Sequence, residues 1–347
     1  MSKGLILVSG VNGYIAAQTT KYFLDAGHSV RGTVRKLASA KPLLEKALKD
    51  YAEAGKFTVV EVPDITADGA FDEAVKDVTA IAHLASPVSF FFKDPEPVLH
   101  AAINGTKTLL NSALKAGPSL KTVVLMSSIA AIKNANPPPY VFTEADWNDF
   151  AEGEVARLGK ETPGPVIYSA SKVAAEKAFW QFREEKKPHF TMTAVNPVFV
   201  IGPPLLAPKT PSAVSETIHT IWTVFSGAPL PPPMTGLPQT VDVRDVAALV
   251  LYPIEHPEAT DGERYIASNA AGHPQAVADI LRKAFPEARG RIVEGTPGAG
   301  YKKGYEADAE ISTPVDGSKG KKLIGEWIPY EKSVVDTAKQ FVGLVKL

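Results

Sequence analysis

The chain has 347 residues, 45% of them hydrophobic, which is enough to bury a large core in one domain or in a domain plus a smaller lobe. Its 37 basic and 38 acidic side chains are interspersed and leave a formal charge of −1, which excludes a nucleic-acid footprint or a basic membrane-surface patch and points to a small-molecule partner. With no cysteine, disulfides, thiolate zinc sites and cysteine nucleophiles are excluded, and none of the seven histidines pairs at H-E-x-x-H spacing, so no metal site is expected.

The first apolar run ends at Ser9 and Gly10, too short for a signal segment or a membrane span, and no later stretch reaches spanning length; a cytoplasmic chain is expected. Strands are predicted at 5–8, 29–34, 57–62, 79–83, 122–126 and 191–195, with helices near 13–26, 41–53, 96–116 and 166–185. Several of these strands are apolar almost throughout, as strands covered on both faces are. The alternation predicts the α/β class: a doubly wound, Rossmann-type parallel sheet.

From residue 197 prolines cluster, at 203, 204, 208, 211, 229, 231–233 and 238, and predict long loops beside the sheet. Short elements then return: a strand at 239–241, a helix from 244, a strand at 263–267, and helices from 275 and 331. The expected division is 1–196 plus 239–262 for a nucleotide-binding domain, and 197–238 plus 263–347 for a smaller, mixed substrate lobe over the carboxyl edge of the sheet.

In "LILVSGVNGYIAAQ" the first strand runs into Gly10 and Gly13, with Ala16 one turn further on. Gly10 permits a tight turn, Gly13 lets the backbone approach a pyrophosphate at the helix N-terminus, and a small residue at 16 allows close helix–strand packing. The spacing is G-x-x-G-x-x-A rather than G-x-G-x-x-G. "HSVRGTVRK" ends the second strand on Arg35 and Lys36 with no acid, which suits a 2′-phosphate and favours NADP(H) over NAD; a solvated basic strand end is the plainer reading, and Arg31 is a weaker contributor. Asp64, past the third strand, reads as an acceptor for an adenine amino group or as a turn-former. Ala85 and Ser86 leave room for the cofactor after the fourth strand, and His83 reads as a packed core residue.

The fifth strand ends on Ser127 and Ser128, at the edge where open α/β sheets bind ligands. "GPVIYSASKVAAEKAF" then places Tyr168 and Lys172 at i and i+4 on one helix face, the one place in the chain where a tyrosine has a lysine four residues on. An ammonium beside a phenol favours the phenolate and lowers a pKa that is otherwise near 10. Lys172 also suits the nicotinamide ribose hydroxyls. The set fits hydride transfer to a carbonyl, with Ser128 bonding the carbonyl oxygen and Tyr168 delivering the proton.

Gly10, Gly13, Ser128, Tyr168 and Lys172 together resemble the extended short-chain dehydrogenase/reductase superfamily, and Ala16 departs from its glycine turn only at the third glycine. "NPVFVIGP" and "VDVRDVA" resemble further segments of that superfamily, so the resemblance covers roughly residues 4–270. "VRGTVRK", "HLASPV", "INGT" and "YSASK" are similar to its dihydroflavonol reductase-like branch, and "YVFTEADWND" with "KPHFTMTAVNP" to fungal NADPH-dependent aldehyde and ketone (carbonyl) reductases. The resemblance implies Ser128, Tyr168 and Lys172 as catalytic, Arg35 and Lys36 as phosphate-binding, and Pro197 and Val200 as nicotinamide neighbours. The full cofactor-binding set it implies is Gly10, Asn12, Gly13, Tyr14, Ile15, Arg35, Lys36, Asp64, Ile65, Leu84, Ala85, Ser86, Ser127, Tyr168, Lys172, Pro197, Val198 and Val200.

Candidate walls of a substrate pocket are apolar: Val88, Phe90 and Phe92 after the fourth strand, Phe199 and Pro203 after the sixth, and Trp222, Phe225 and Met234 in the proline-rich lobe, with Ser128 as the polar anchor. Each is also an ordinary core residue type; as a group they favour a hydrophobic or aromatic aldehyde or ketone. Two alternatives stand beside this reading: an NAD-dependent nucleotide-sugar epimerase or dehydratase of the same superfamily, and a non-catalytic NADP-sensing protein. The helices near 96–116 and 166–185 have small apolar faces that fit either a homodimer seam or packing within one subunit.

Overall fold

The computed structural model describes residues 3–136, 139–232, 239–308 and 314–345. All six predicted strands are present: β1 (Leu5–Val8), β2 (Ser29–Val34), β3 (Phe57–Glu61), β4 (Ala80–His83), β5 (Thr122–Met126) and β6 (Thr191–Pro197). With β9 (Arg264–Ala267) they form a seven-stranded sheet in the order β3-β2-β1-β4-β5-β6-β9, every neighbouring pair parallel. A second sheet joins β7 (Phe199–Ile201), β8 (Gln239–Asp242) and β10 (Ala270–Ala271) in the order β10-β8-β7.

The two sheets correct the expected division at two places. The 263–267 strand, assigned to the smaller lobe, is the seventh strand of the main sheet: all four residues of β9 are buried, and pairing with Ala194 to Pro197 of β6 satisfies the backbone of a run covered on both faces. The 239–241 strand, assigned to the large domain, pairs with β7 and β10 instead.

Successive residues of each main strand point to opposite faces. Ile6 and Val8 join a core with α1 (Tyr14–Asp25) and α7 (Val243–Glu255), while Leu7 joins one with α3 (Pro95–Leu114) and α5 (Gly164–Lys186). The helices near 96–116 and 166–185 therefore pack on each other and on the sheet. Helix α5 starts between Pro163 and Pro165 and ends where Lys187 turns left-handed at φ 45°.

The helix predicted at 41–53 is broken. Leu43–Ala47 is a π turn, Leu48 accepts no helical φ, and α2 (Lys49–Glu53) follows. Leu48 N–H bonds the Leu43 carbonyl at 2.8 Å, and the extra residue in the turn buries both leucines, which are five apart. Helix α4 (Asp149–Leu158), for which no helix was predicted, is capped by the Asn148 side chain on Ala151 N–H.

The smaller lobe has its own core. Helix α6 (His219–Ser226) packs there with α9 (Pro274–Ala284) and α11 (Tyr330–Lys339), burying Trp222, Phe225, Ile280, Leu281, Val334 and Phe341. Two short helices, α8 (Pro257–Thr260) and α10 (Ser318–Ile324), lie by β6 and β9. No helix among the described residues is long and apolar enough to cross a membrane.

The start of α7 ties the lobes together. Asp242 accepts from Arg244 N–H and from the Arg244 guanidinium, which also reaches Asp336 on α11, and the Ser333 hydroxyl donates to Asp242. Asp245 accepts from Ile328 N–H, and burial pushes its carboxyl up to about 7. The folded state then holds that proton more tightly than the unfolded chain does, so this group's contribution to stability is complete in acid and is lost as pH rises through 7. Asp245→Asn keeps an acceptor oxygen for Ile328 and is expected to raise stability more at pH 8 than at pH 5, by about 3 kcal/mol, and the melting temperature with it. Thermal unfolding of both proteins at the two pH values checks this.

Candidate active site

The carboxyl ends of β1 and β4 lie side by side where the strand order reverses, the crevice in which open α/β sheets bind ligands. Gly10 has φ 67°, and a Cβ there would lie 3.1 Å from Ala85. Gly13 N–H closes the turn onto the Gly10 carbonyl at 2.9 Å. Gly13 gives α1 no side-chain cap and the first turn holds no acid, so that end is open to an anion. Ala16 is buried in the main core, as expected of the third small position. Gly32 completes the device, and the sequence reading passed over it: a Cβ on it would lie 2.6 Å from the Val11 side chain.

Ser9 was also passed over. Its hydroxyl oxygen accepts from Leu84 N–H and Ala85 N–H, both at 2.9 Å, and lies 2.8 Å from His83 Nδ1. With its acceptor capacity used, Ser9 donates its one proton to Nδ1, which assigns His83 as the neutral Nε2–H form. Burial, with the Lys172 charge, lowers the His83 pKa to about 4. His83 is a packed core group, as read from the sequence.

Arg35 and Lys36 are exposed at the end of β2, and no acid of β2 stands beside them. Glu61 at the end of β3 accepts from Leu37 N–H. Arg31 is turned away, its guanidinium on the Ala74 and Lys76 carbonyls, which removes it from the phosphate set. Asp64 makes an Asx-type turn through Oδ1 with the Thr66 N–H and hydroxyl, which leaves Oδ2 as an acceptor, and Ile65 packs against Gly105 of α3. Tyr14 donates to the Gly202 carbonyl at 2.7 Å, while Ile15 and Leu84 pack against the main core. Pro197 at the end of β6, Val198 between the strands and Val200 in β7 are all buried. Asn12 and Gly13 open onto a cleft of about 170 Å³ walled by Leu205, Leu206, Val214 and Ile218, which the sequence reading left as loop.

Ser127, Ser128, Tyr168 and Lys172 come together at the end of β5. The Ser128 hydroxyl accepts from Ala130 N–H at 3.1 Å, and the Ser128 side chain acts on the Tyr168 phenol, lowering it against burial. Ser127 donates to Glu176 at 2.5 Å, so its proton is already committed and is not available to a cofactor. The Lys172 ammonium lies over the Tyr168 ring, 5.7 Å from its centroid. Burial lowers Lys172 to about 8, opposed by Glu176. Burial raises the Tyr168 phenol, the Ser128 side chain lowers it against that, and the Glu216 charge raises it further. Ser86 Oγ is buried without a hydrogen-bond partner among the described residues and lines, with His83, Thr106, Ser127 and Lys172, a cavity beside the ammonium. The open helix end, the glycine approach and this free hydroxyl fit a dinucleotide laid from Gly13 toward Lys172.

Of the expected pocket walls, Phe90 and Phe199 reach the site. Phe90 meets the Tyr168 ring edge-on at 5.6 Å and stacks on Phe199 at 5.9 Å. The loop that carries Phe90 and Phe92 rests on Gly164, where a Cβ would lie 2.3 Å from the Phe90 carbonyl oxygen. Val88 is 59% exposed, outside any wall, and Pro203 is half-buried in the loop after β7. Trp222 and Phe225 are corrected: they pack on Phe341 and Phe285 in the core of the smaller lobe, because α6 turns its apolar face inward. Met234 lies outside the described residues.

The pattern of the NAD dependent epimerase/dehydratase family matches residues 6–268. The chain is 32% identical to the putative NADPH-dependent methylglyoxal reductase of Candida albicans over 99% of both chains. It is 35% identical to a ketoreductase of Aspergillus niger over 83% of this chain and 84% of the other. The crystal structure of the yeast methylglyoxal/isovaleraldehyde reductase Gre2 complexed with NADPH superposes with a TM-score of 0.84 at 32% identity, covering 97% of this chain and 98% of that one. Since the family match runs from within β1 to just past β9, taking in the whole main sheet and the site on its edge, the chain belongs to the NAD dependent epimerase/dehydratase family, within the extended short-chain dehydrogenases/reductases.

Proposed function

We propose that this chain reduces aldehydes or ketones to alcohols with NADPH, on hydrophobic or aromatic substrates. The observation that carries the reading is the meeting of Ser128, Tyr168 and Lys172 at the carboxyl edge of the sheet, where the Ser128 side chain acts on the buried phenol and the buried Lys172 ammonium lies 5.7 Å from the Tyr168 ring centroid. Gly10, Gly13 and the start of α1 would hold the diphosphate, Arg35 and Lys36 the 2′-phosphate, and Lys172 the nicotinamide ribose hydroxyls. Bound there, NADPH supplies the hydride.

Ala130 N–H takes one lone pair of the Ser128 oxygen, and when a carbonyl oxygen enters, the single Ser128 proton turns from the phenol to that oxygen. Tyr168, kept protonated by burial, gives its proton to that oxygen as alkoxide character develops; an alkoxide is far more basic than a phenolate, so the transfer runs downhill. Phe90 packs edge-on against the Tyr168 ring with Phe199 stacked on it, an apolar neighbourhood that favours a carbonyl bearing an aromatic or branched apolar group. The basic end of β2 counts against the NAD-dependent epimerase alternative, and a sensing protein has no need of the three polar groups.

NADPH oxidation against aryl ketones, β-keto esters and aldehydes is expected to exceed NADH oxidation; no turnover with any of them overturns the reading. Tyr168→Phe is expected to lower kcat by about 10²–10⁴-fold with little change in NADPH affinity, measured by steady-state kinetics and fluorescence titration. Replacing Arg35 and Lys36 together by alanine is expected to weaken NADPH binding by roughly 10–100-fold and leave NADH binding unchanged.

A further inference from the structure

Lys172 is 5% exposed, and no hydrogen bond or ion pair reaches its ammonium among the described residues. A desolvated ammonium loses its proton readily unless a negative charge faces it. The groups facing it can be named. Tyr168 and Glu176 lie on its own helix, His83 faces it from β4 in the neutral form, β5 contributes Ser127 and α3 the uncharged Ala102 and Thr106. Glu216 faces Tyr168 from beyond the phenol. Glu176, one turn along α5 from Lys172, is the carboxylate whose charge acts on the ammonium.

Glu176 is itself fully buried, and four donors fix it. Ser127 Oγ and Asn196 Nδ2 lie 2.5 and 2.8 Å from Oε2, and Arg264 Nε and Trp180 Nε1 lie 2.6 and 3.3 Å from Oε1. Asn196 also donates to the Ser128 carbonyl at 3.2 Å. Arg264 gives Nη1 to the carbonyls of Glu144 and Asp146 and stacks 4.0 Å over Trp147. A buried ion pair is weak evidence for stability, since apolar replacements often serve as well. This one reaches the side chain of Ser127, the main chain of Ser128 and the charge of Lys172 together.

We propose that Glu176 is a positioning residue for the carbonyl reduction argued above, tying α5 to the ends of β5, β6 and β9 and giving the Lys172 ammonium its counter-charge. The inference rests on that functional reading for its consequence in turnover, and on the charges alone for its effect on Lys172. Arg264 partly cancels the field of Glu176, so the two variants should act in opposite senses: Glu176→Gln removes the counter-charge, and Arg264→Gln unmasks it.

The test is the titration of the Lys172 ε-carbon by ¹³C NMR in cofactor-free protein, assigned by its loss in Lys172→Met, run beside the pH profile of NADPH-dependent reduction. Relative to the parent, Glu176→Gln is expected to move the Lys172 midpoint down and Arg264→Gln to move it up, each by about one pH unit. The alkaline limb of kcat/KM should follow in the same directions. Two midpoints unmoved, or moved the same way, overturn the proposal, because structural loosening has no reason to act with opposite signs. Should either variant not fold, the Glu176 δ-carbon of the parent decides: it is expected to shift in step with Lys172 ionisation, and a signal flat through that range overturns the proposal. If the parent reduces no carbonyl yet the midpoints move apart, the functional reading falls and the charge coupling stands.

Discussion

A charged carboxylate with no access to water is the constraint around which this molecule is arranged. Glu176 points from α5 to the level where β5 and β6 end and β9 begins, and its donors come from all four elements: Ser127 after β5, Asn196 of β6, Arg264 of β9 and Trp180 one turn along α5. The face of α5 toward the sheet is rich in alanine, with Ala170, Ala175 and Ala178 buried. Such a face packs acceptably over a range of rotations and translations, because small side chains leave few ridges to interlock. The polar contacts at Glu176 have no such latitude. They set the register of the helix, and that register delivers Lys172 one turn further up and Tyr168 two turns up to the carboxyl edge of the sheet.

Burial then does opposite things to the two groups delivered there. It holds the phenol of Tyr168 in the protonated form and pushes the ammonium of Lys172 toward losing its proton. The polar contacts work against both tendencies, Ser128 on the phenol and Glu176 on the ammonium. A site dry enough to strengthen a hydrogen bond to a developing alkoxide is thus also one in which its own charges need support. On the other side of the phenol, Phe90 and Phe199 keep that dryness while the loop bearing Phe90 is seated on Gly164.

Much of this was legible beforehand. The six strands could be placed almost to the residue because each is a short β-branched run covered on both faces, and the glycine turn because only glycine allows the positive φ at residue 10. Tyr168, Lys172 and Ser128 could be brought to one edge because helical spacing and strand ends are local properties. What stayed hidden depends on contacts between distant segments. Four apolar or amphipathic residues at 264–267 read the same whether they pair in a small lobe or complete a seven-stranded sheet. Trp222 and Phe225 read the same as pocket walls or as core, and Glu176 read as one more polar residue on a long helix.

The sequence by itself determined the parallel α/β architecture, the glycine turn after β1 and the identity of the three polar groups on the carboxyl edge, since each follows from backbone sterics or from a fixed periodicity within a few residues. Only the tertiary structure decided that burial raises the phenol, that Ser127 is committed to Glu176, and that Phe90 packs on Tyr168. Desolvation, hydrogen-bond partnership and ring packing are properties of a neighbourhood assembled from residues far apart in the chain, and no spacing along the chain encodes them.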